Sequence, residues 1–261
     1  MGKLLEKTSE VPVMTQSDKI EGRNPVLEAL KAEREIDKIL IAKGAEQGSV
    51  QKIIGAAKDR GIPIQYVERQ KLDQLSESHS HQGIIAFVAA YRYVEVEDIL
   101  AKAAQKGESP FIVILDEITD PHNLGSILRT ANAAGVHGVI IPKRRAVGLT
   151  AVVAKTSAGA IEYVPVAKVS NLAQTIDTLK DKGLWVVGAD MDGQNTYYEQ
   201  DLTGNTALVI GSEGQGIGRL IKEKCDFIVR IPMKGQLSSL NASVAASLMM
   251  YEVMRQRDQK K

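Results

Sequence analysis

Between Phe111 and Pro232 the chain repeats one pattern: a short, uninterrupted apolar run followed by a segment of helical length. The runs are "FIVIL" (111–115), "GVII" (138–141), "YVPV" (163–166), "LWVVGA" (184–189), "ALVI" (207–210) and "FIVRIP" (227–232). A strand without polar alternation has no face to offer water, so it must be covered on both sides. Strands separated by helices are joined by crossovers rather than hairpins. The pattern predicts an α/β unit with a mainly parallel sheet, and helices from about His122 to Ala134, Thr150 to Ser157, Asn171 to Asp181 and Asn241 to Arg257.

A smaller α/β unit precedes it. "EGRNPVLEALKAER" places Asn24 before Pro25, the pattern of an N-cap followed by proline at the first helical position. Strands follow near 36–42, 62–67 and 82–90, with helices from Ser49 to Arg60 and from Gln70. Residues 93–109 are charged and rich in Ala and Lys, ending at Gly107 and Pro110, and read as a connector. The expected division is a frayed arm over 1–17, a first unit over 18–92, the connector over 93–109 and a second unit over 110–257.

At 261 residues, 44% apolar and 25% charged, the chain can bury two cores. No apolar stretch has the length of a membrane span and no signal-peptide pattern opens the chain, so the cytoplasm is the default compartment. Cys225 stands alone, without a CxxC or His/Cys cluster, which argues against structural zinc and disulfides and for a buried, inert thiol. His79 and His81, in "SESHSHQG", read as exposed loop residues, and no metal is expected. A net charge of +1 announces no nucleic-acid partner, so any such contact must be local. "PKRRAVG", with Lys143, Arg144 and Arg145, is one such patch, read equally well as a solvated loop.

Three clusters can carry chemistry. In "DPHNLGSILRTANAAG", Leu124, Leu128, Ala131 and Gly135 form a core stripe, while His122, Ser126 and Arg129 form its neighbour. Asp120 or Asn123 can cap this helix, and Gly135 reads as its C′ residue. The small residues beside Arg129 leave room for a ligand. In "VIGSEGQGIG", a buried strand ends at Gly211 and Glu213 sits inside a glycine-rich turn. The spacing G-x-x-G-x-G is not the dinucleotide fingerprint, which disfavours a nucleotide-dependent oxidoreductase. In "IPMKGQLSSLNASVAAS", Ser239 reads as the N-cap of a closing helix that is apolar on nearly every side, buried in the monomer or shared with a second subunit.

These three stretches, in this order, resemble the motifs of the SpoU (TrmH-like) RNA ribose 2′-O-methyltransferases of the SPOUT superfamily. The first unit is similar to the L30-like RNA-binding domain that precedes the catalytic domain in the ribosomal RNA branch of that family. The resemblance implies a C-terminal trefoil knot, an exception to the rule against threaded chains. It also implies S-adenosylmethionine held by Ala189, Gly211, Ile231, Met233 and Leu240, and a homodimer formed through the closing helix. Carried over by position, the catalytic set is Asn123, Arg129, Glu213, Ser239 and Asn241. Arg23 and Asn24, with Lys143, Arg144 and Arg145, are then candidates for RNA contact. The implied substrate is ribosomal RNA, with a guanosine ribose of the large-subunit RNA as the target. Another ribosomal nucleotide, a tRNA ribose, or a non-catalytic RNA-binding protein of the same fold are the alternatives.

Methyl transfer to a hydroxyl is an in-line displacement that needs alignment and the removal of one proton, not a metal or a covalent intermediate. A guanidinium, with a pKa above about 12, is a poor proton acceptor, so Arg129 is expected to clamp a phosphate and orient the 2′-oxygen. Glu213 and Asn123 would then position Arg129 or the ribose.

Overall fold

The computed structural model describes residues 19–31, 34–76, 80–88 and 91–260; the arm expected over 1–17, and His79, lie outside the described residues. The smaller unit runs β1 (Lys19–Glu21), α1 (Arg23–Lys31), β2 (Ile36–Ala42), α2 (Ser49–Asp59), β3 (Ile64–Val67), α3 (Arg69–Leu75) and β4 (Ile84–Val88). Its sheet has the order β1-β4-β2-β3, with β4 antiparallel to both neighbours and β3 parallel to β2. Helices α1 and α2 cover one face, packing Val26, Leu30, Val50 and Ile53 on Ile39, Ile41 and Ile84. Helix α3 sets Leu72 against Leu40 and Ile85 on the other.

The structure overturns two local expectations. Helix α1 begins at Arg23, so Asn24 lies inside the first turn rather than capping it. The Gly22 carbonyl instead accepts from the Val26 N–H at 3.2 Å, and Pro25 is tolerated because N–H groups of a first turn have no intrahelical partner. His81 is not an exposed loop residue but 3% exposed. Its Nδ1 accepts from the Gly83 N–H at 3.0 Å, which leaves Nε2 to donate to the Asp73 carboxylate at 2.8 Å. That partner sits on α3, beyond the reach of a local reading.

The larger unit begins earlier than the expected connector allows. Residues 96–106 form α4 (Val96–Lys106), which buries Val96, Ile99 and Ala103. The chain then runs β5 (Phe111–Leu115), α5 (Pro121–Ala133), β6 (Gly138–Pro142), α6 (Ala151–Thr156), β7 (Val166–Val169), α7 (Leu172–Asp181), β8 (Trp185–Ala189), β9 (Asn195–Thr196), β10 (Thr206–Ile210), α8 (Arg219–Lys224), β11 (Phe227–Arg230) and α9 (Ala242–Gln259). The sheet order is β7-β6-β5-β10-β8-β11-β9, and every pair is parallel. Both faces are covered, as the apolar runs require. One layer packs Leu124, Ile127, Val153, Ala246 and Met249 of α5, α6 and α9 on Val113, Leu115 and Leu208. The other packs Ile99, Ile176 and Ile221 of α4, α7 and α8 on Ile112, Ile114 and Val209. Burial of each of the Leu, Ile, Val and Met side chains contributes about 1.5–3 kcal/mol.

The strand expected at 163–166 is displaced to Val166–Val169. Pro165 has no N–H to give a ladder, although its carbonyl accepts from Val139 at 3.0 Å, so regular pairing starts after it. Helix α9 buries Ala246, Met249, Met250 and Val253, while Val244, Leu248 and Tyr251 remain exposed. Among the described residues, no helix is long and apolar enough to cross a membrane.

Cys225 is half-buried against the second layer and donates weakly to the Ile221 carbonyl at 3.4 Å. Burial, with Asp226 beside it, pushes the thiol up to about 12. At pH 8, alkylation of the folded protein by iodoacetamide is therefore expected to run about a hundredfold or more slower than in denaturant. Equal rates would show that the thiol is open and ordinary.

Candidate active site

The carboxyl ends of β8, β10 and β11 point to the same edge of the sheet, where open parallel sheets place their ligands. The loops leaving them enclose a cleft of roughly 330 Å³, within the range of about 300–1,000 Å³ found for small-molecule sites. Ala189 ends β8, Gly211 follows β10, Ile231 follows β11, and Met233 and Leu240 lie on the loop to α9; all five line the cleft. At Gly211 a side chain is impossible, because a Cβ would overlap the backbone of Gly216. That close approach is fixed by reciprocal bonds: Ser212 N–H to the Gly216 carbonyl at 3.1 Å, and Gly216 N–H to the Ser212 carbonyl at 3.0 Å.

Three side chains from distant parts of the sequence meet beside this cleft. Asp120 caps α5 by accepting from the His122 N–H at 2.8 Å, which frees Asn123, buried in the same first turn. Asn123 Nδ2 donates to Glu213 Oε1 at 3.0 Å, and Asn241 Nδ2 donates to Asn123 Oδ1 at 2.9 Å and to Glu213 Oε1. The Ala242 N–H also points at Glu213 Oε1, at 3.5 Å. The carboxylate thus sits at the positive end of α9, where a negative charge is favoured. Asn241, not Ser239, caps that helix, accepting from the Ser243 and Val244 N–H groups at 3.0 and 3.4 Å. Ser239 lies two residues earlier on the cleft wall.

Arg129 stands apart from this cluster. It is exposed on α5, and its side chain makes no hydrogen bond or ion pair with any described residue. Six residues after Asn123, it projects about 120° away from it round the helix, on the stripe of His122 and Ser126. The structure therefore gives no bonded link from Glu213 or Asn123 to Arg129.

A second polar group lines the cleft, one that motif reading missed. Lys222 Nζ bridges Asp190 at 2.8 Å and Asp192 at 2.9 Å, and Asp190 Oδ2 faces the Ile217 N–H at 3.5 Å. Burial works against ionisation of Asp190, but the Lys222 ammonium and the Asp192 N–H outweigh it and hold its carboxyl below the usual range. Asp116, at the end of β5, behaves oppositely. Burial raises it, though it accepts from the Gly218 N–H at 2.8 Å. "GADMDG" after a strand was a signal for the aspartates, whereas Lys222 in a charged helix looked like any solvated lysine.

The candidate RNA contacts are dispersed. Arg23 donates through Nε to the Gln82 carbonyl at 3.2 Å, tying α1 to the turn before β4, and Asn24 is exposed beside it. Lys143 lines a cleft between the two units. Arg144 is exposed, and Arg145 pairs with Glu117 at 2.9 Å. Both members of that pair have left-handed backbone, with φ of 57° and 59°. Among the described residues, no group of three His, Cys, Asp or Glu side chains is placed to hold a metal ion.

Residues 110–251 match the SpoU rRNA Methylase family, and residues 19–94 match the RNA 2′-O ribose methyltransferase substrate-binding family. YacO of Bacillus subtilis (strain 168), named as a TrmH family tRNA/rRNA methyltransferase, is 54% identical over 243 residues, covering 93% of this chain and 97% of its own. The crystal structure of an AdoMet-bound rRNA methyltransferase from Sinorhizobium meliloti aligns with a TM-score of 0.58 and 25% identity, covering 91% of this chain and 86% of that one. The TrmH/SpoU tRNA modifying enzyme of A. aeolicus aligns with a TM-score of 0.54 and 32% identity, covering 59% of this chain and 78% of its own.

The ionised form of Asp190 is stabilised by folding, so its contribution is present above the unfolded pKa of about 4 and is lost as pH falls through the lower folded value. Asp190→Asn is expected to lower stability by about 1–2 kcal/mol at pH 7, with the gap to wild type closing below about pH 4. Urea melts of the two proteins at both pH values measure it; a gap that persists in acid would refute the assignment.

Proposed function

Because the chain belongs to the SpoU rRNA Methylase family, we propose that it transfers the methyl group of S-adenosylmethionine to a ribose 2′-hydroxyl, that of a guanosine in large-subunit ribosomal RNA. The observation that carries this reading is the meeting of Asn123, Glu213 and Asn241 at the mouth of a cleft lined by Gly211.

The cleft suits the donor. Ile231, Met233 and Leu240 offer apolar walls, Gly211 lets backbone approach closely, and Asp190, Asp192 and Glu213, against the single ammonium of Lys222, leave net negative charge for a cation. When bound, S-adenosylmethionine supplies an electrophilic methyl group. The chain's own task is to hold a ribose oxygen in line with it and to keep that geometry rigid. Glu213, restrained by two amide donors and a helix terminus, fixes the loop after β10 and presents its remaining oxygen toward the ribose. Asn123 and Asn241 position Glu213 rather than Arg129. Arg129, unencumbered on α5, clamps an RNA phosphate from the solvent side.

Ribosomal rather than transfer RNA is favoured by coverage. The rRNA methyltransferase aligns across 91% of the chain, the tRNA enzyme across 59%, a share close to that of the larger unit alone. In this reading residues 18–92 hold the RNA, residues 110–257 carry out transfer, and the protein works in the cytoplasm. The exposed apolar residues Val244, Leu248 and Tyr251 on α9 support a homodimer through that helix. A C-terminal trefoil knot belongs to the same reading and rests on membership of the family.

Calorimetry with S-adenosylmethionine and a ribose-methylation map of ribosomal RNA from a deletion strain test the reading. Donor binding and the loss of one 2′-O-methylguanosine in the large-subunit RNA are expected. RNA binding without donor affinity would point to a non-catalytic protein. Arg129→Lys is expected to lower kcat/KM about tenfold and Arg129→Ala about a hundredfold, and Glu213→Gln to fall between them. Unchanged turnover at saturating RNA in all three would remove these residues from catalysis.

A further inference from the structure

The two units meet around one buried carboxylate. Asp37 lies in β2 of the smaller unit but is only 9% exposed. The pairing of β2 with β4 slips between Ile36 and Lys38, so Asp37 is the extra residue of a bulge. Bulges re-aim a side chain out of the regular alternation, and this one turns Asp37 toward the larger unit. There it enters a socket made by three separate segments. Tyr93 Oη donates to Asp37 Oδ1 at 2.7 Å, and Lys168 Nζ, on β7, pairs with the same oxygen. Gly148 supplies the space: a Cβ on it would fall 2.5 Å from Asp37 Cγ.

The socket is itself braced. Tyr93 Oη accepts from the Leu149 N–H at 2.9 Å, and the Lys168 ammonium lies 4.8 Å over the Tyr93 ring. Burial, and then Asp37 itself, push the Tyr93 phenol well above its ordinary range, so it remains a donor. Asp37 Oδ2 is buried without a hydrogen-bond partner among the described residues. A buried pair of this kind adds little net stability, but a docking that buried Asp37 away from Lys168 would leave an uncompensated charge, so the pair selects among docked arrangements. Gly148 follows directly on the Lys143–Arg145 loop. Two residues later Thr150 caps α6, which packs against α5, the helix of Asn123 and Arg129.

We propose that Asp37 is a positioning residue for methyl transfer: keyed into the Gly148–Tyr93–Lys168 socket, it holds the RNA-binding unit at one fixed offset from the cleft, and that offset selects which ribose reaches Glu213. The inference rests on the reading of the smaller unit as the RNA holder.

The test uses the full chain and its Asp37→Asn, Gly148→Ala, Lys168→Met and Asp37→Asn/Lys168→Met variants, with large-subunit ribosomal RNA from a strain lacking the gene. S-adenosylmethionine affinity, measured on each preparation, is expected to match wild type and reports an intact larger unit. Asp37→Asn and Gly148→Ala are each expected to raise KM for RNA about tenfold, with kcat within about twofold. Both are also expected to methylate riboses neighbouring the wild-type site. The double variant is expected to be no worse than its worse parent, because both single changes break one pair. Wild-type KM and a single methylated site in both Asp37→Asn and Gly148→Ala would overturn the proposal, as would losses that multiply in the double variant. Small-angle scattering reads the docking without activity, with a larger radius of gyration expected in both variants. A wild-type protein inert toward this RNA would defeat the function proposed above, while scattering would still decide on the socket.

Discussion

The structure depends on where β10 lies. It pairs in parallel with β5 on one side and β8 on the other, and all of its residues are buried. The loop that leaves its carboxyl end is thereby delivered between the ends of two other strands. Glu213 owes its place to that pairing, as does the contact of Gly211 with Gly216 that gives the loop its shape. A register shift of one residue in β10 would turn its core residues to the wrong layers and withdraw Glu213 from Asn123 in the same step.

Around that loop the site is assembled by mutual restraint rather than by any single strong contact. Each hydrogen bond in such a network adds about 0.5–1.5 kcal/mol net. What they achieve together is immobility, since Asn123, Glu213 and Asn241 each hold at least one of the others. The aspartates and Lys222 do the same for the opposite wall. A site of this kind is made ready before its ligands arrive, which is what a reaction dominated by alignment needs.

Most of the fold could be read from the sequence because two-sided burial leaves unbroken apolar runs. The runs at 111–115 and 207–210 needed no other signal, and Thr150 and Asn171 announced the helices they cap. Elements without a pattern escaped: β1 and β9 have three and two residues, too few to show a period. Site residues were legible where motifs carry them, but their geometry was not. Sequence spacing placed Arg129 near Asn123 without showing that the helix turns it away. Asp37 in "IDKILIA" looked like one charge on an ordinary strand, because a bulge belongs to the pairing of two strands and cannot be seen in one. The burial of His81 is hidden from the sequence in the same way, its acid partner Asp73 being supplied by folding.

Asn241 does two jobs with one side chain. Its oxygen ends α9 by accepting backbone N–H groups, and its nitrogen holds Glu213 and Asn123. The cap alone is worth about 1 kcal/mol, and aspartate or serine would serve it nearly as well. Neither offers the amide donor that the carboxylate requires. A search for heat-resistant versions of this protein would therefore find the position closed, since durability and chemistry draw there on the same few atoms.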